Sequence, residues 1–213
     1  MVQEVLGGKR ALMTSPKSGE ILDAAMELFS RKGYAATSMR DIADAVGLQA
    51  GSLYAHIRSK EDLLVGIIEG VRETFLNNGE SALADKTDSV ADRLRRFAAA
   101  HLQIIAENRA SAVVFLHEWK SLEGEQLQLV LANRDRYESM LVALLEEGVE
   151  NGEFRDVDPK LTAVAVLSLL NWAHTWYRPE GAMSAADVGD YFTDLVIEGI
   201  AKPKRALRRP TRR

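Results

Sequence analysis

The sequence predicts an all-α protein of about nine helices, and three observations predict it. Apolar residues recur at spacings of three and four through most of the 213 residues. Serine-to-aspartate capping signals, asparagines or glycines bracket many of the periodic runs. No run of alternating apolar and polar residues between hairpin turns competes with them.

The first helix carries Ile21, Leu22, Ala25, Met26 and Phe29 as one stripe between Lys17 and Lys32, and Gly33 closes it. Ser38 with Asp41 has the form of a capping box that starts a second helix at Met39, with Ile42, Ala45 and Val46 on one face. Gly47 follows where a helix ends in the left-handed conformation, which costs glycine least. Leu48 anchors the turn, and Leu53 and Ile57, four residues apart, give a short third helix its buried face. A helix that short persists only when packed on others. A fourth helix starts near Lys60 and runs to about Asn78, with Leu63, Leu64, Ile67, Ile68, Val71 and Phe75 as its apolar face.

Five further helices make a body. Ser89 to about Glu107 repeats Leu94, Phe97, Ala98, His101, Leu102 and Ile105, and Ser111 to Lys120 holds Val113, Val114, Phe115, Leu116 and Trp119. Gln126 to Val149 is long, and Asn151 with Gly152 stops it. Pro159 opens a helix that is apolar on nearly every face to Trp176, and Ser184 with Asp187 caps a last one carrying Val188, Tyr191, Phe192, Leu195 and Ile200. The expected division is an N-terminal arm over 1–16, a three-helix head over 17–63, a body over 64–201 and a basic tail over 202–213.

The third helix carries the functional signal. Gln49, Ser52, Tyr54, Ala55 and His56 look away from its buried side, and all are small or hydrogen-bonding, which suits a helix entering a major groove about 12 Å wide. The second and third helices thus read as a helix-turn-helix for double-stranded DNA. Taken singly, Tyr54 and His56 are equally readable as plain surface residues.

The formal charge of −4 divides unevenly. Residues 1–60 carry +2, residues 61–201 carry −13 and residues 202–213 carry +7. An acidic body repels DNA, so it should point away and leave the head facing the phosphates. Lys9, Arg10 and Lys17 could run along DNA and the tail could add non-specific attraction, but a solubilising, disordered role fits each as well.

There is no cysteine, hence no disulfide or thiol chemistry. The start lacks the apolar run of a secretion signal. The longest apolar region, Leu161 to Ala173, is too short and too polar to span a bilayer. A cytoplasmic location without membrane contact is expected. His56, His101, His117 and His174 have no metal-ligand spacing, no nucleophile elbow or phosphate-cradling loop occurs, and neither a metal, a cofactor nor catalysis is expected. The alternative is an all-helical small-molecule-binding protein or enzyme that does not read DNA.

The stretch from Ile21 through AMELFSRKGYAATSMRDIADAVG and GSLYAHIRSKEDLL resembles the TetR family of bacterial transcriptional repressors. The resemblance implies a homodimer whose head binds a palindromic operator and whose body binds a small effector. It also implies that Thr37, Ser38 and Arg40 contact the DNA backbone, that Gln49, Ala50, Gly51, Ser52, Tyr54 and His56 lie on the recognition helix, and that Lys60 holds a phosphate. Three positions depart from the family pattern: Gln49 replaces a serine or threonine cap, Ala50 a frequent cation, and Ile57 an aromatic. Losing the cation at position 50 should flatten the salt dependence of binding by roughly 0.9 log units per log unit of salt.

The segment NWAHTWYRPEGAMSAADVGDYF is similar to the C-terminal region of repressors governing fatty-acid and sterol-ring catabolism, which implies an acyl-CoA effector. Phe97, His101, Phe115, Trp119, Tyr137, Met140, Trp172 and Trp176 could line an apolar cavity, with Arg178 and also Arg95, Arg96, Arg109 and Arg134 at its mouth; the same residues also read as plain core and surface pairs. The last two helices offer more apolar surface than one subunit can cover. Leu161, Val164, Leu167, Val188, Tyr191, Phe192 and Leu195 are expected to meet a second copy about a two-fold axis, the alternative being burial within one subunit.

Overall fold

The computed structural model describes residues 15–200. The expected tail and all but the last two residues of the expected arm lie outside them. The described residues form nine α-helices and one 3₁₀ turn: α1 Pro16–Lys32, α2 Met39–Ala45, α3 Ala50–Leu53, α4 Lys60–Leu83, α5 Val90–Glu107, α6 Arg109–His117, the turn Glu118–Ser121, α7 Gly124–Glu150, α8 Pro159–Trp176 and α9 Ala185–Ile200.

Local chemistry sets most of the starts. Ser38 accepts from the Asp41 amide at 3.1 Å while Asp41 accepts from the Ser38 amide at 2.8 Å, the reciprocal box that opens α2. The Ser38 hydroxyl, which also donates to Asp41 Oδ2, and then the Ser38 amide hold the Asp41 carboxyl well below the usual carboxylate range. Ser59, Ser89 and Asp158 cap α4, α5 and α8 by accepting from the amide three residues on, and Ser184 with Asp187 repeats the box at α9. Gly47 takes a φ of 68° between α2 and α3, as its place at a helix end requires.

Three boundaries differ from expectation, the first being that the helix expected over Ser111 to Lys120 runs Arg109–His117 and gives way to the 3₁₀ turn. α4 continues to Leu83, because Gly79 lets Met140, Tyr137 and Phe97 pack directly onto its backbone and so keeps its last turns covered. α3 is one turn, with Tyr54 to His56 completing it as a non-helical turn.

Two apolar clusters make the core. The first joins Ile21, Leu22, Phe29, Ile42, Leu53 and Ile57 of the head to Leu64, Ile68 and Phe75 along α4, and continues into Val114 and Phe115 of α6. α1 packs on α6 as well as on α2 and α4. The apolar interior of the head therefore runs into the body without a break at residue 63. The second cluster fills the body between α5, α7, α8 and α9, around Phe97, Leu102, Leu141, Leu145, Phe154 and Leu170.

Candidate nucleic-acid interface and ligand cavity

α3 is held from beneath by Leu53, which is fully buried, and by Ile57 just after it. The residues between face outward: Gln49, Ala50, Gly51, Ser52, Tyr54 and His56 are all exposed, and Gln49 makes no side-chain cap. A Cβ added at Gly51 would meet open space, so this glycine is not required by packing within the chain. Ser38 and Arg40 are also exposed, at the start of α2.

Two residues expected to touch DNA are placed otherwise. Thr37 is 1% exposed, its hydroxyl donating to the Gly33 carbonyl at 2.9 Å. Lys60 donates to the carbonyls of Tyr34 and Thr37 at 2.9 and 2.8 Å and lies over the Tyr34 ring at 4.2 Å. The lysine is a brace for the α1–α2 turn: two carbonyl dipoles and a ring face already occupy its ammonium.

Behind Phe75, a cavity of about 140 Å³ opens between α4, α5, α6, α7 and α8. Arg72, Phe75, His101, Phe115, Tyr137, Leu167 and Asn171 line it, with Arg134, Asp135 and Glu138 also on its wall. Of the residues expected there, His101, Phe115 and Tyr137 are present. Phe97 and Met140 sit one layer behind, the first beside the Tyr137 ring at 5.0 Å and the second against Gly79. Trp119 backs the wall, with the Arg134 guanidinium over its ring at 4.9 Å. Trp172, 63% exposed, Trp176 and Arg178 lie on the surface away from it, because their side of α8 and the following loop faces outward.

The arginines divide similarly. Arg95 pairs with Asp194 and Asp92, Arg96 with Asp88, and Arg109 donates to the His174 carbonyl at 2.8 Å, so these brace helices to one another. Arg134 alone of the five expected at the mouth lines the cavity. Sequence reasoning missed Arg72 and Asn171; the visible signal for Asn171 was a polar residue in an otherwise apolar helix.

His101 is 2% exposed, and its Nδ1 lies 3.1 Å from the Tyr137 hydroxyl. Burial pushes its pKa down to about 3, so the ring is neutral at ordinary pH, and burial likewise raises that of Tyr137. A second pair, invisible in the sequence, joins α6 to α8: Nε2 of His117 and of His174 stand 2.8 Å apart, and His174 Nδ1 meets the Asn171 carbonyl. Burial, then the neighbouring ring, hold the His117 pKa below its ordinary value. Among the described residues no group of three or more metal-ligating side chains comes together, and no helix is long and apolar enough to cross a membrane.

One face of α8 and α9 is uncovered. Leu161, at 67% exposed, Val164, Trp172, Trp176, Tyr191 and Leu195 all lie open. Three of the expected interface residues are placed differently: Val188 is buried in the body core, Leu167 turns to the cavity, and Phe192 is half-buried against the Trp176 ring at 5.9 Å.

Comparison with known proteins agrees with this architecture. Residues 21–67 match the bacterial regulatory proteins, tetR family, and residues 87–200 match the tetracyclin repressor-like C-terminal domain. The HTH-type transcriptional repressor KstR2 of Rhodococcus jostii (strain RHA1) is 33% identical over 196 residues, covering 89% of this chain and 95% of its own. The TetR family transcriptional regulator PfmR from Thermus thermophilus superposes with a TM-score of 0.76 at 42% identity, over 85% of this chain and 99% of its own. AibR in complex with isovaleryl coenzyme A and operator DNA gives 0.73 at 27%, over 82% and 95%. With a head model and a body model matched in the order in which the fold presents them, the chain belongs to the TetR family of bacterial transcriptional regulators.

Proposed function

We propose that this protein is a cytoplasmic repressor that binds an inverted-repeat operator as a homodimer and leaves it when an acyl-CoA occupies the body. In this reading the head over 17–63 reads DNA and the body over 64–201 holds the effector and the partner. The observation that carries it is the recognition surface: Gly51 and Ser52 on a one-turn helix, and Tyr54 and His56 in the turn that follows it, all stand exposed, their position fixed by the buried Leu53 and Ile57. Arg40 beside it is exposed and would meet the backbone, which positions without specifying, while Ser38, equally exposed, holds the start of α2 through its box with Asp41.

The effector class is supported by two relatives, one described as a ketosteroid transcriptional regulator, the other solved with isovaleryl coenzyme A. Transmission follows from α4. Its first turns pack in the head core, while Arg72, Phe75 and Leu76 form a wall of the cavity. A ligand that prefers one setting of α4 shifts the separation of two heads in a dimer, and linkage makes operator and effector antagonistic by typically about 1 to 3 kcal/mol.

The test is fluorescence anisotropy of the dimer on DNA from upstream of its own gene, with a series of acyl-CoA esters added. Salt-sensitive binding that exceeds binding to scrambled DNA, and that at least one ester reverses, is the expected result. Equal affinity of every ester for free and operator-bound protein contradicts the effector half of the reading.

A further inference from the structure

Resting on the effector reading above, we propose that the buried part of the effector is a compact group bearing a neutral carbonyl oxygen, recognised by His101 through Nε2–H and by Arg72 through Nε–H. Among the described residues three buried side-chain polar atoms lack a hydrogen-bond partner, and two of them, Arg72 Nε and His101 Nε2, belong to residues lining this one cavity. A buried polar group left unsatisfied is costly, so two of them on one cavity wall mark what an occupant must supply.

Both atoms are donors. The Tyr137 hydroxyl has one hydrogen, and its partner is His101 Nδ1. If Tyr137 donates, Nδ1 is satisfied and the ring proton sits on Nε2. The reverse arrangement strands the hydroxyl hydrogen as well as Nε2, one more buried group without a partner. Asn171, on the same wall, approaches the ring without giving Nε2 a hydrogen bond of normal geometry. Arg72 Nε is a donor in any state.

Charge then separates a ketone-like oxygen from a carboxylate. The Arg72 guanidinium is already bonded to Glu69 at 2.7 Å and faces Glu73 at 3.6 Å, and Asp135 and Glu138 share the wall with Arg134. The two carboxylates on Arg72, with neutral His101, leave no net positive charge for a buried anion. Size limits the rest: about 140 Å³ is close to a cavity of about 150 Å³ that takes a benzene ring, so one six-membered ring or a short branched chain fits and a long straight chain does not.

The probes are cyclohexanone and methylenecyclohexane, which share a shape and differ in carbonyl oxygen against methylene, titrated by NMR into the full-length dimer carrying ¹⁵N-labelled histidine. His101 should show the Nε2–H tautomer, and its Nε2 resonance should move with cyclohexanone and not with the hydrocarbon. His101→Phe and, separately, Arg72→Lys, which keeps the charge between the two glutamates, should each weaken cyclohexanone relative to methylenecyclohexane by roughly three- to tenfold. An Nδ1–H tautomer, no response to cyclohexanone, or an affinity ratio that neither substitution changes overturns the proposal. The tautomer readout needs only the unmutated protein, so a variant that fails to fold leaves the test intact. If acyl-CoA esters release the operator while the ratio stays unchanged, the effector reading survives and the carbonyl anchor falls; if the ratio responds as expected and no ester releases DNA, the effector reading falls and the anchor stands.

Discussion

Lys60 shows how a single side chain can hold a structural task that analogy does not display. Its position just before an amphipathic helix suited a phosphate clamp, but the ammonium is spent on the carbonyls of Tyr34 and Thr37. Lys60→Met should therefore lower stability by about 1 to 3 kcal/mol in urea unfolding and leave the salt slope of operator binding unchanged. A slope shallower by about 0.9 would restore the phosphate role. His101 yields a pH prediction. Its folded pKa of about 3 lies below the unfolded value of about 6.5, so the unfolded chain takes up the proton first. The stability contributed by the neutral buried ring is complete above about pH 6.5 and is lost as pH falls toward 3, at up to about 1.4 kcal/mol per pH unit. Urea midpoints at pH 6.5 and 4.5 should converge in His101→Phe relative to the unmutated protein. At this scale the caps were legible because Ser38 and Asp41, like Ser184 and Asp187, act within one turn. Lys60 and Thr37 were not, because their partners were backbone carbonyls, which sequence does not display.

Elements were easier to read than contacts between them. The periodicity of Ile21 to Phe29, the glycine at 47 and the spacing of Leu53 and Ile57 fix α1 to α3 locally, and local signals survive in sequence. The cavity was only partly legible: His101, Phe115 and Tyr137 lie on its wall, whereas Trp172 and Trp176 lie outside it. An aromatic's helix can be recognised from spacing, but which face meets which neighbour depends on how α7 and α8 cross. The open face of α8 and α9 belongs at this scale too. Large exposed apolar surfaces on such helices mark association sites, and the symmetric contact we propose is α8 and α9 against their copies. Leu161→Glu combined with Leu195→Glu should convert a dimer to a monomer in sedimentation velocity with helicity retained. A dimer that persists undiminished would place the contact elsewhere.

For the whole molecule, the apolar continuity from Leu53 through Phe75 to Phe115 ties the proposed DNA-reading surface to the cavity. Sequence division by charge placed a head against an acidic body, yet it could not show that α1 leans directly on α6. That contact gives the body two routes to the head, through α4 and through α6. Two heads in a symmetric dimer read one face of DNA when their recognition helices stand about 34 to 36 Å apart, or a multiple of it. The most direct measurement is anisotropy on DNA from upstream of the protein's own gene, comparing the unmutated chain with Gly51→Arg and Tyr54→Ala, both at exposed positions. Specific, salt-dependent binding that both substitutions alter while urea stability stays within about 0.5 kcal/mol is the predicted result. Binding that is no stronger than to scrambled DNA, or that ignores both substitutions, would contradict a recognition role for α3.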